Sequence, residues 1–147
     1  MINYTGTSLT DSNQQLKFWT GFNEFIKGTP FVEHFPTMTP QSHNWYDVPL
    51  KTSNPYISLA FDSRQKHIRV SVYMKDKSYW NGFSDNKEQI DNALGNDLDW
   101  QYKPETKRSY IMKRRYVDFD NPDTWHECYQ WYIDRALEFK RVFSRYC

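Results

Sequence analysis

Little net charge, few glycines and no long apolar run distinguish this sequence, and each shortage excludes a class of protein. A net charge of +1 over 147 residues gives no general attraction to nucleic acid or to anionic membranes. No stretch approaches the roughly 18 apolar residues of a membrane helix, and residues 1–10 hold no apolar run of signal-peptide length. The five glycines form neither a phosphate-binding loop nor the Gly-x-Ser-x-Gly turn of a hydrolase.

Cysteine is also scarce, with Cys128 and Cys147 the two thiols of the chain. They lie 19 residues apart on one predicted helix, which at 1.5 Å per residue separates them by roughly 28 Å. A disulfide within the chain is therefore excluded. Cysteines that cannot pair within the chain favour a reducing, cytoplasmic setting.

Aromatic residues are what the sequence has in abundance. They make up 18% of the chain, against 38% for all hydrophobic residues, so the core is expected to consist largely of rings. The length suits a single domain, residues 1–147, in which residues 1–10 are predicted to be a flexible lead-in.

The end of the chain, residues 121–147, is predicted to be one long amphipathic helix. Asn121 suits the N-cap and Pro122 the first helical position. One face carries apolar residues, nearly all of them aromatic, at spacings of three and four: Trp125, Tyr129, Tyr132, Ala136, Phe139, Phe143 and Tyr146. So large a stripe must be buried, and the helix is expected to cover the rest of the domain.

A second helix is predicted near the start of the chain, beginning at Asp11 or Ser12 and ending at Gly28. Gly21 inside it costs about 1 kcal/mol relative to alanine. Close packing against another element explains such a glycine.

Between these helices the sequence predicts five strands and one short helix. Strands are expected at residues 45–50, 56–61, 67–74, 98–102 and 109–117, and a helix at 85–94. Pro49 has no amide N–H, so the first strand is expected either to lie at a sheet edge or merely to be the end of a strand. The order α-β-β-β-α-β-β-α predicts an α+β domain with a mainly antiparallel sheet and the terminal helices packed on one face.

The third strand alternates most clearly and supplies one candidate binding face. Ile68, Val70, Val72 and Met74 face one way, and the opposite side carries His67, Arg69, Ser71 and Tyr73. If helices leave that side uncovered, it could hold an anionic or planar ligand with Arg69 as donor. The alternatives are an ordinary solvated face or a buried arginine with an acidic partner.

A basic segment supplies a second candidate. Residues 103–117 contain six basic residues against one acidic residue, interleaved with tyrosines, and could contact phosphates and stack bases. The basic residues are Lys103, Lys107, Arg108, Lys113, Arg114 and Arg115. They could equally protect a sheet edge, or pair with the acidic run at residues 76–99.

Patterns that suggest metal chemistry are weak. Glu105-Thr106-Lys107 matches the Glu-x-Lys motif of restriction-type nucleases, and Asp97 and Asp99 lie upstream as such a site requires. The motif falls in a predicted turn, however, and not on a strand. His126 and Cys128 point about 200° apart on a helix and cannot share an ion. His34 and His43 lie in an irregular segment with no cysteine nearby. We therefore predict no metal site, no cofactor and no catalytic residues.

Several segments together resemble the domain-of-unknown-function family numbered 4268. They are residues 16–19 (LKFW), 41–49 (QSHNWYDVP), 68–73 (IRVSVY), 87–90 (KEQI), 98–100 (LDW) and the tryptophans of the last helix. The resemblance spans roughly residues 14–145. It implies a module found alone or appended to restriction-endonuclease-like nucleases, in DNA metabolism or phage–host conflict, and it makes His43 and Arg69 candidate site residues.

The leading hypothesis from the sequence is a non-catalytic cytoplasmic module that binds nucleic acid or a nuclease-type protein. A structural or homodimeric interaction protein is the first alternative, and a metal-dependent nuclease is the second. No interaction with a membrane is expected.

Overall fold

In the computed structural model, residues 9–50, 54–106 and 108–147 are described. The predicted lead-in therefore lies mostly outside the described residues. So do Ser53, where the sequence Ser-Asn-Pro predicts a turn between the first two strands, and Lys107 in the basic segment. Every helix within the described ranges is too short or too polar to cross a bilayer.

The described part of the chain is an α+β structure with one five-stranded sheet. The strands are β1 (Trp45–Pro49), β2 (Tyr56–Asp62), β3 (His67–Met74), β4 (Asp99–Gln101) and β5 (Ser109–Tyr116). Their spatial order is β1-β2-β3-β5-β4, and every neighbouring pair is antiparallel. This confirms the predicted fold class, and β1, which ends at Pro49, is an edge strand as expected.

Five α-helices accompany the sheet in the described residues: α1 (Ser12–Ile26), α2 (Phe31–His34), α3 (Lys77–Ser84), α4 (Lys87–Ala93) and α5 (Trp125–Phe143). Short 3₁₀ turns, Pro122–Thr124 and Ser144–Tyr146, extend α5 at both ends. The prediction of one middle helix at 85–94 was incomplete, because α3 precedes it, and α2 was also missed. Both are short and are held by ring contacts, such as Phe83 with Phe143 and Phe31 with Phe22.

Helix α1 begins and ends where its sequence predicts. The Asp11 side chain caps it by accepting hydrogen bonds from the backbone N–H groups of Asn13 and Gln14. A β-carbon at Gly21 would lie 2.5 Å from the Tyr129 hydroxyl oxygen, so the glycine permits the close approach of α1 and α5. This confirms the packing explanation for Gly21.

Helix α5 buries its aromatic stripe against α1 and one face of the sheet. Tyr132 and Phe139 are fully buried, and Tyr129 is nearly so. The ring cluster continues through Trp19 of α1, whose indole N–H donates to the carbonyl oxygen of His43 at 2.9 Å. The apolar side chains of β2 and β3 point into this same core, among them Ile57, Leu59, Phe61, Val70 and Val72. None of the described helices packs on the opposite side of the sheet, which we call the open face.

A candidate binding site on the open sheet face

Cross-strand pairing aligns side chains in rows on the open face. One row contains Tyr56, Tyr73 and Tyr110, which are direct neighbours on β2, β3 and β5; we call it the tyrosine row. The rings of Tyr56 and Tyr73 stack with centroids 5.5 Å apart at 19°, and Tyr73 and Tyr110 are 5.6 Å apart. All three are half-buried, so each keeps part of its surface free for another ring.

Arg69 lies on the same face, paired across the sheet with Arg114. Arg114 binds the carboxylate of Asp99 at 2.9 Å, whereas Arg69 makes no salt bridge among the described residues, although its charge acts on Asp62. The Nη1 atom of Arg69 lies 3.4 Å from Nε2 of His67, and its Nε atom is buried with no hydrogen-bond partner in the described part of the chain. A half-buried guanidinium without a counter-ion is costly, and an anionic or acceptor-rich ligand would relieve that cost.

A cavity of about 250 Å³ opens beside Arg69. Its floor is made by Ser58 and Ala60, the two small residues of β2 on this face. Larger side chains surround the floor; they come from β1, β2, β3 and the residues just before β1 and β5: Asn44, Trp45, Asp47, Tyr56, Arg69, Tyr73 and Arg108. We call this cavity the Arg69 pocket.

Asp47 brings a carboxylate to the Arg69 pocket. Burial raises its pKa above the ordinary value, while a hydrogen bond from Ser58 and the charge of Arg108 act in the opposite direction. The Oδ1 atom is buried and has no hydrogen-bond partner among the described residues. The pocket thus combines an acceptor that lacks a donor with a donor that lacks an acceptor.

His67 does not reach the surface, although the sequence places it with Arg69. It is 2% exposed and packs edge-on against Tyr116 at 5.5 Å. Burial and the charge of Arg69 lower its pKa, so the ring is neutral at pH 7. Its place in the open face is therefore structural, beneath the groups that a ligand would touch.

His43, by contrast, is exposed beside the pocket. Its ring stacks on Trp45 with centroids 4.3 Å apart and planes 6° apart. Trp45 is 45% exposed, a high fraction for an indole, and forms a wall of the pocket. His43 thus contributes by positioning Trp45.

The basic segment does not form one surface, because strand alternation sends its members to opposite sides of the sheet. Lys113 lies on the helix side, where it donates to the Leu94 carbonyl oxygen at 2.8 Å and pairs with Asp97 at 3.0 Å. Arg115 pairs with Glu127 of α5 at 3.5 Å. The ion pairs to Asp97 and Asp99 confirm the alternative in which this segment pairs with the acidic run.

Three described members of the basic segment lie on the open side, namely Arg114 and two others. The Lys103 ammonium lies 5.7 Å from the centre of the Tyr110 ring, at the end of the tyrosine row. Arg108 is exposed and lines the Arg69 pocket. The structure therefore places Arg69, Tyr73, Lys103, Arg108 and Arg114 on one face.

The residues proposed for a nuclease do not form a metal site. Glu105 lies in an exposed turn, and Asp99 is held by Arg114 and by Gln101 at 2.7 Å. Burial raises the pKa of Asp99, but these hydrogen bonds and the nearby positive charges outweigh it and hold that pKa below its usual value. Across the described ranges, no three His, Cys, Asp or Glu side chains lie close enough to hold an ion.

Sequence reasoning missed Trp45, Asp47, Ser58 and Ala60 as pocket residues. Their assignment requires the register of β1 on β2, in which Trp45 pairs with Ala60 and Asp47 with Ser58. One signal was present in the sequence: a charged residue inside a strand, Asp47, and small residues at alternate positions of the next strand.

Comparison with known proteins identifies a family but no activity. Residues 14–147 match the family described as "Domain of unknown function (DUF4268)". No curated protein gives a significant match. A solved chain from the crystal structure of the ExsC-ExsE complex is similar with a TM-score of 0.40 and 7% identity, over 84% of this chain and 94% of that one. Likeness at this level carries no conclusion about function.

Proposed function

We propose that this chain, which belongs to the DUF4268 family of domains of unknown function, is a non-catalytic module that binds single-stranded nucleic acid on its open face. The observation that carries the proposal is Arg69, which is half-buried beside the tyrosine row and makes no salt bridge among the described residues. Proteins that bind single strands combine aromatic platforms for the bases with cations for the backbone. This face has both.

The dimensions of the tyrosine row suit stacked bases. Its three rings lie on adjacent strands with centroids 5.5 and 5.6 Å apart, and each side chain remains partly exposed. Four-stranded RNA-binding sheets use aromatic residues on a sheet face in the same way. Duplex DNA would bind less well, because its bases are already stacked on one another.

Charge on the open face supports binding of modest strength. Arg108 and Lys103 are available for phosphates, whereas Arg114 is largely neutralised by Asp99. Engagement of two or three phosphates predicts a fall in affinity of about ten-fold between 50 and 200 mM salt. A cytoplasmic setting belongs to the proposal and is supported by two cysteines that form no disulfide in the described residues. Association with nuclease or phage-defence systems rests on the family resemblance alone.

Fluorescence anisotropy with labelled 12-nucleotide single strands and a matched duplex, at both salt concentrations, tests this function. We expect single strands to bind more tightly than the duplex, and Arg69→Gln and Tyr73→Ala to weaken binding several-fold. Arg141→Gln is the matched control, because Arg141 is exposed on α5, on the other side of the domain. A flat titration at 50 mM salt would refute the proposal.

A protein partner, including a second copy of this chain, is the alternative that one observation favours. Trp45 and Tyr116 are 45% and 67% exposed on the same face, and exposed aromatics are enriched at protein interfaces. Light scattering across a concentration series distinguishes the two. If the wild type has the molar mass of a dimer and the Trp45→Ser variant that of a monomer, the open face is the surface of self-association.

A further inference from the structure

The Arg69 pocket has the width of one planar ring system. β1 and β3 flank β2, and neighbouring strands lie about 4.8 Å apart, so the two walls are separated by roughly 10 Å. Ser58 and Ala60 leave the space above β2 empty, while Asp47 and Arg69 rise on either side of it. Its volume of about 250 Å³ is below that of pockets for drug-sized ligands.

Side chains of opposite charge line this space, and the charge of Arg108 acts on Asp47. Asp47 Oδ1 and Arg69 Nε are both buried and lack partners, and no ion pair joins the two side chains in the described residues. Buried polar groups are normally satisfied, so an incomplete set around one cavity points to a ligand that completes it.

The ligand must present donors to Asp47 and acceptors to Arg69, and it must be flat enough to lie beside Trp45, Tyr56 and Tyr73. Among the nucleobases, guanine meets this description. Its O6 and N7 accept the forked hydrogen bonds of an arginine, and N1–H and N2–H₂ on its other edge are donors that suit a carboxylate. Adenine places an amino group beside N7, where Arg69 has only donors to offer.

We propose that the Arg69 pocket binds one guanine base, with the Asp47 carboxylate accepting from N1–H and N2–H₂ and the Arg69 guanidinium donating to O6 and N7. The inference rests on the proposed function, in which the base belongs to a single strand. Arg108, exposed at the rim, is placed to meet the adjoining phosphate.

Base substitution in one oligonucleotide tests the inference. A labelled strand of twelve thymidines is compared with strands that carry one central guanine, adenine, inosine or 7-deazaguanine. We expect the guanine strand to bind about ten-fold more tightly than the thymidine strand, a modest value for a bidentate contact. Adenine should give no gain. Inosine, which lacks the N2 amino group, and 7-deazaguanine, which lacks the N7 acceptor, should each lose part of the gain.

Two variants assign the edges of the base. Asp47→Asn should reduce the ratio of guanine to thymidine affinity to about one, because an amide replaces one acceptor with a donor. Arg69→Lys should lower that ratio and make the protein insensitive to 7-deazaguanine, since a lysine has no fork for O6 and N7. Asp85→Asn is the control, because Asp85 is exposed at the C-cap of α3. It should leave the ratio of guanine to thymidine affinity unchanged.

The outcomes separate this inference from the function on which it rests. Equal binding of all single strands overturns guanine recognition and leaves the proposed function standing. Binding of 5′-GMP but not 5′-AMP, with no oligonucleotide binding, supports guanine recognition and overturns the single-strand function. Absence of binding by every strand and both nucleotides overturns both. Circular dichroism verifies that each variant is folded before its ratio of guanine to thymidine affinity is compared with that of the wild type.

Discussion

The hydroxyl of Tyr132 on α5 donates a hydrogen bond of 2.6 Å to the carbonyl oxygen of Ala60 on β2. Tyr132 is fully buried, and burial raises its pKa well above the ordinary value, so the group remains a neutral donor. Ala60 belongs to the floor of the Arg69 pocket. The hydrogen bond therefore connects α5, on one side of the sheet, to the candidate site on the other side.

Tyr132→Phe should lower the free energy of unfolding by about 1–2 kcal/mol, because it removes the hydroxyl that donates to the Ala60 carbonyl oxygen. Urea denaturation followed by circular dichroism measures the change. Tyr116→Phe, at a residue 67% exposed, is the matched control and should alter stability little. Equal effects of the two substitutions would show that the bond contributes no net stability.

Gly21→Ala should destabilise the protein by about 1–3 kcal/mol, although alanine is the better helix former. The added carbon would meet the Tyr129 hydroxyl at 2.5 Å and disturb its hydrogen bond of 2.6 Å to the Phe18 carbonyl oxygen. Gly82→Ala is the control, since its carbon would lie 3.4 Å from the nearest atom. Thermal unfolding of both variants checks the prediction, and a stabilised Gly21→Ala variant would contradict it.

The two thiols should react very differently. Cys128 is fully buried and burial raises its pKa to about 12, whereas Cys147 is exposed. The thiolate is the reactive form, so one equivalent of a thiol reagent should be consumed rapidly by native protein at pH 8 and two by denatured protein. Cys147→Ser should abolish the rapid reaction. Two rapid equivalents in the native wild type would disprove the burial of Cys128.

Asp47→Asn should raise the free energy of unfolding at pH 7. Burial raises the folded-state pKa of Asp47 above its ordinary value of 3.8, so the folded state holds the proton more tightly than the unfolded chain. This contribution to stability is fully present below the unfolded pKa and is lost as pH rises through the folded pKa. The stability difference between variant and wild type should therefore be larger at pH 7 than at pH 4.

Urea titrations at the two pH values, with Asp85→Asn as the control, measure that difference. A variant less stable than wild type at pH 7 would mean that Asp47 is paired in solution. A more stable variant that has lost guanine preference would identify Asp47 as a residue kept at the expense of stability.

Local patterns were sufficient to predict most of the fold. Strand β3 has the predicted bounds because its alternation is strict, and α1 and α5 follow their caps and apolar stripes. Helix α3 escaped prediction because it spans two turns, contains Gly82 and has no side-chain cap. It depends on Phe83 meeting Phe143, sixty residues away, and such contacts are invisible to local periodicity.

The candidate site was only partly predictable, for a related reason. Arg69 and Tyr73 are visible in the alternation of β3 alone. Asp47 and Ala60 join them only through the pairing of β1 with β2 and of β2 with β3. The density of charge in residues 103–117 was misleading, because adjacent side chains on a strand point to opposite faces and the cluster is divided between them.

Both margins of the sheet are poor templates for an additional strand. On one side β1 offers five residues, the last of them a proline without an N–H group, and on the other side β4 offers three. Peptide capture by strand addition and fibre growth through shared ladders are therefore disfavoured. Any partner of this domain has to be recognised through side chains, which makes its selectivity adjustable by single substitutions on the open face.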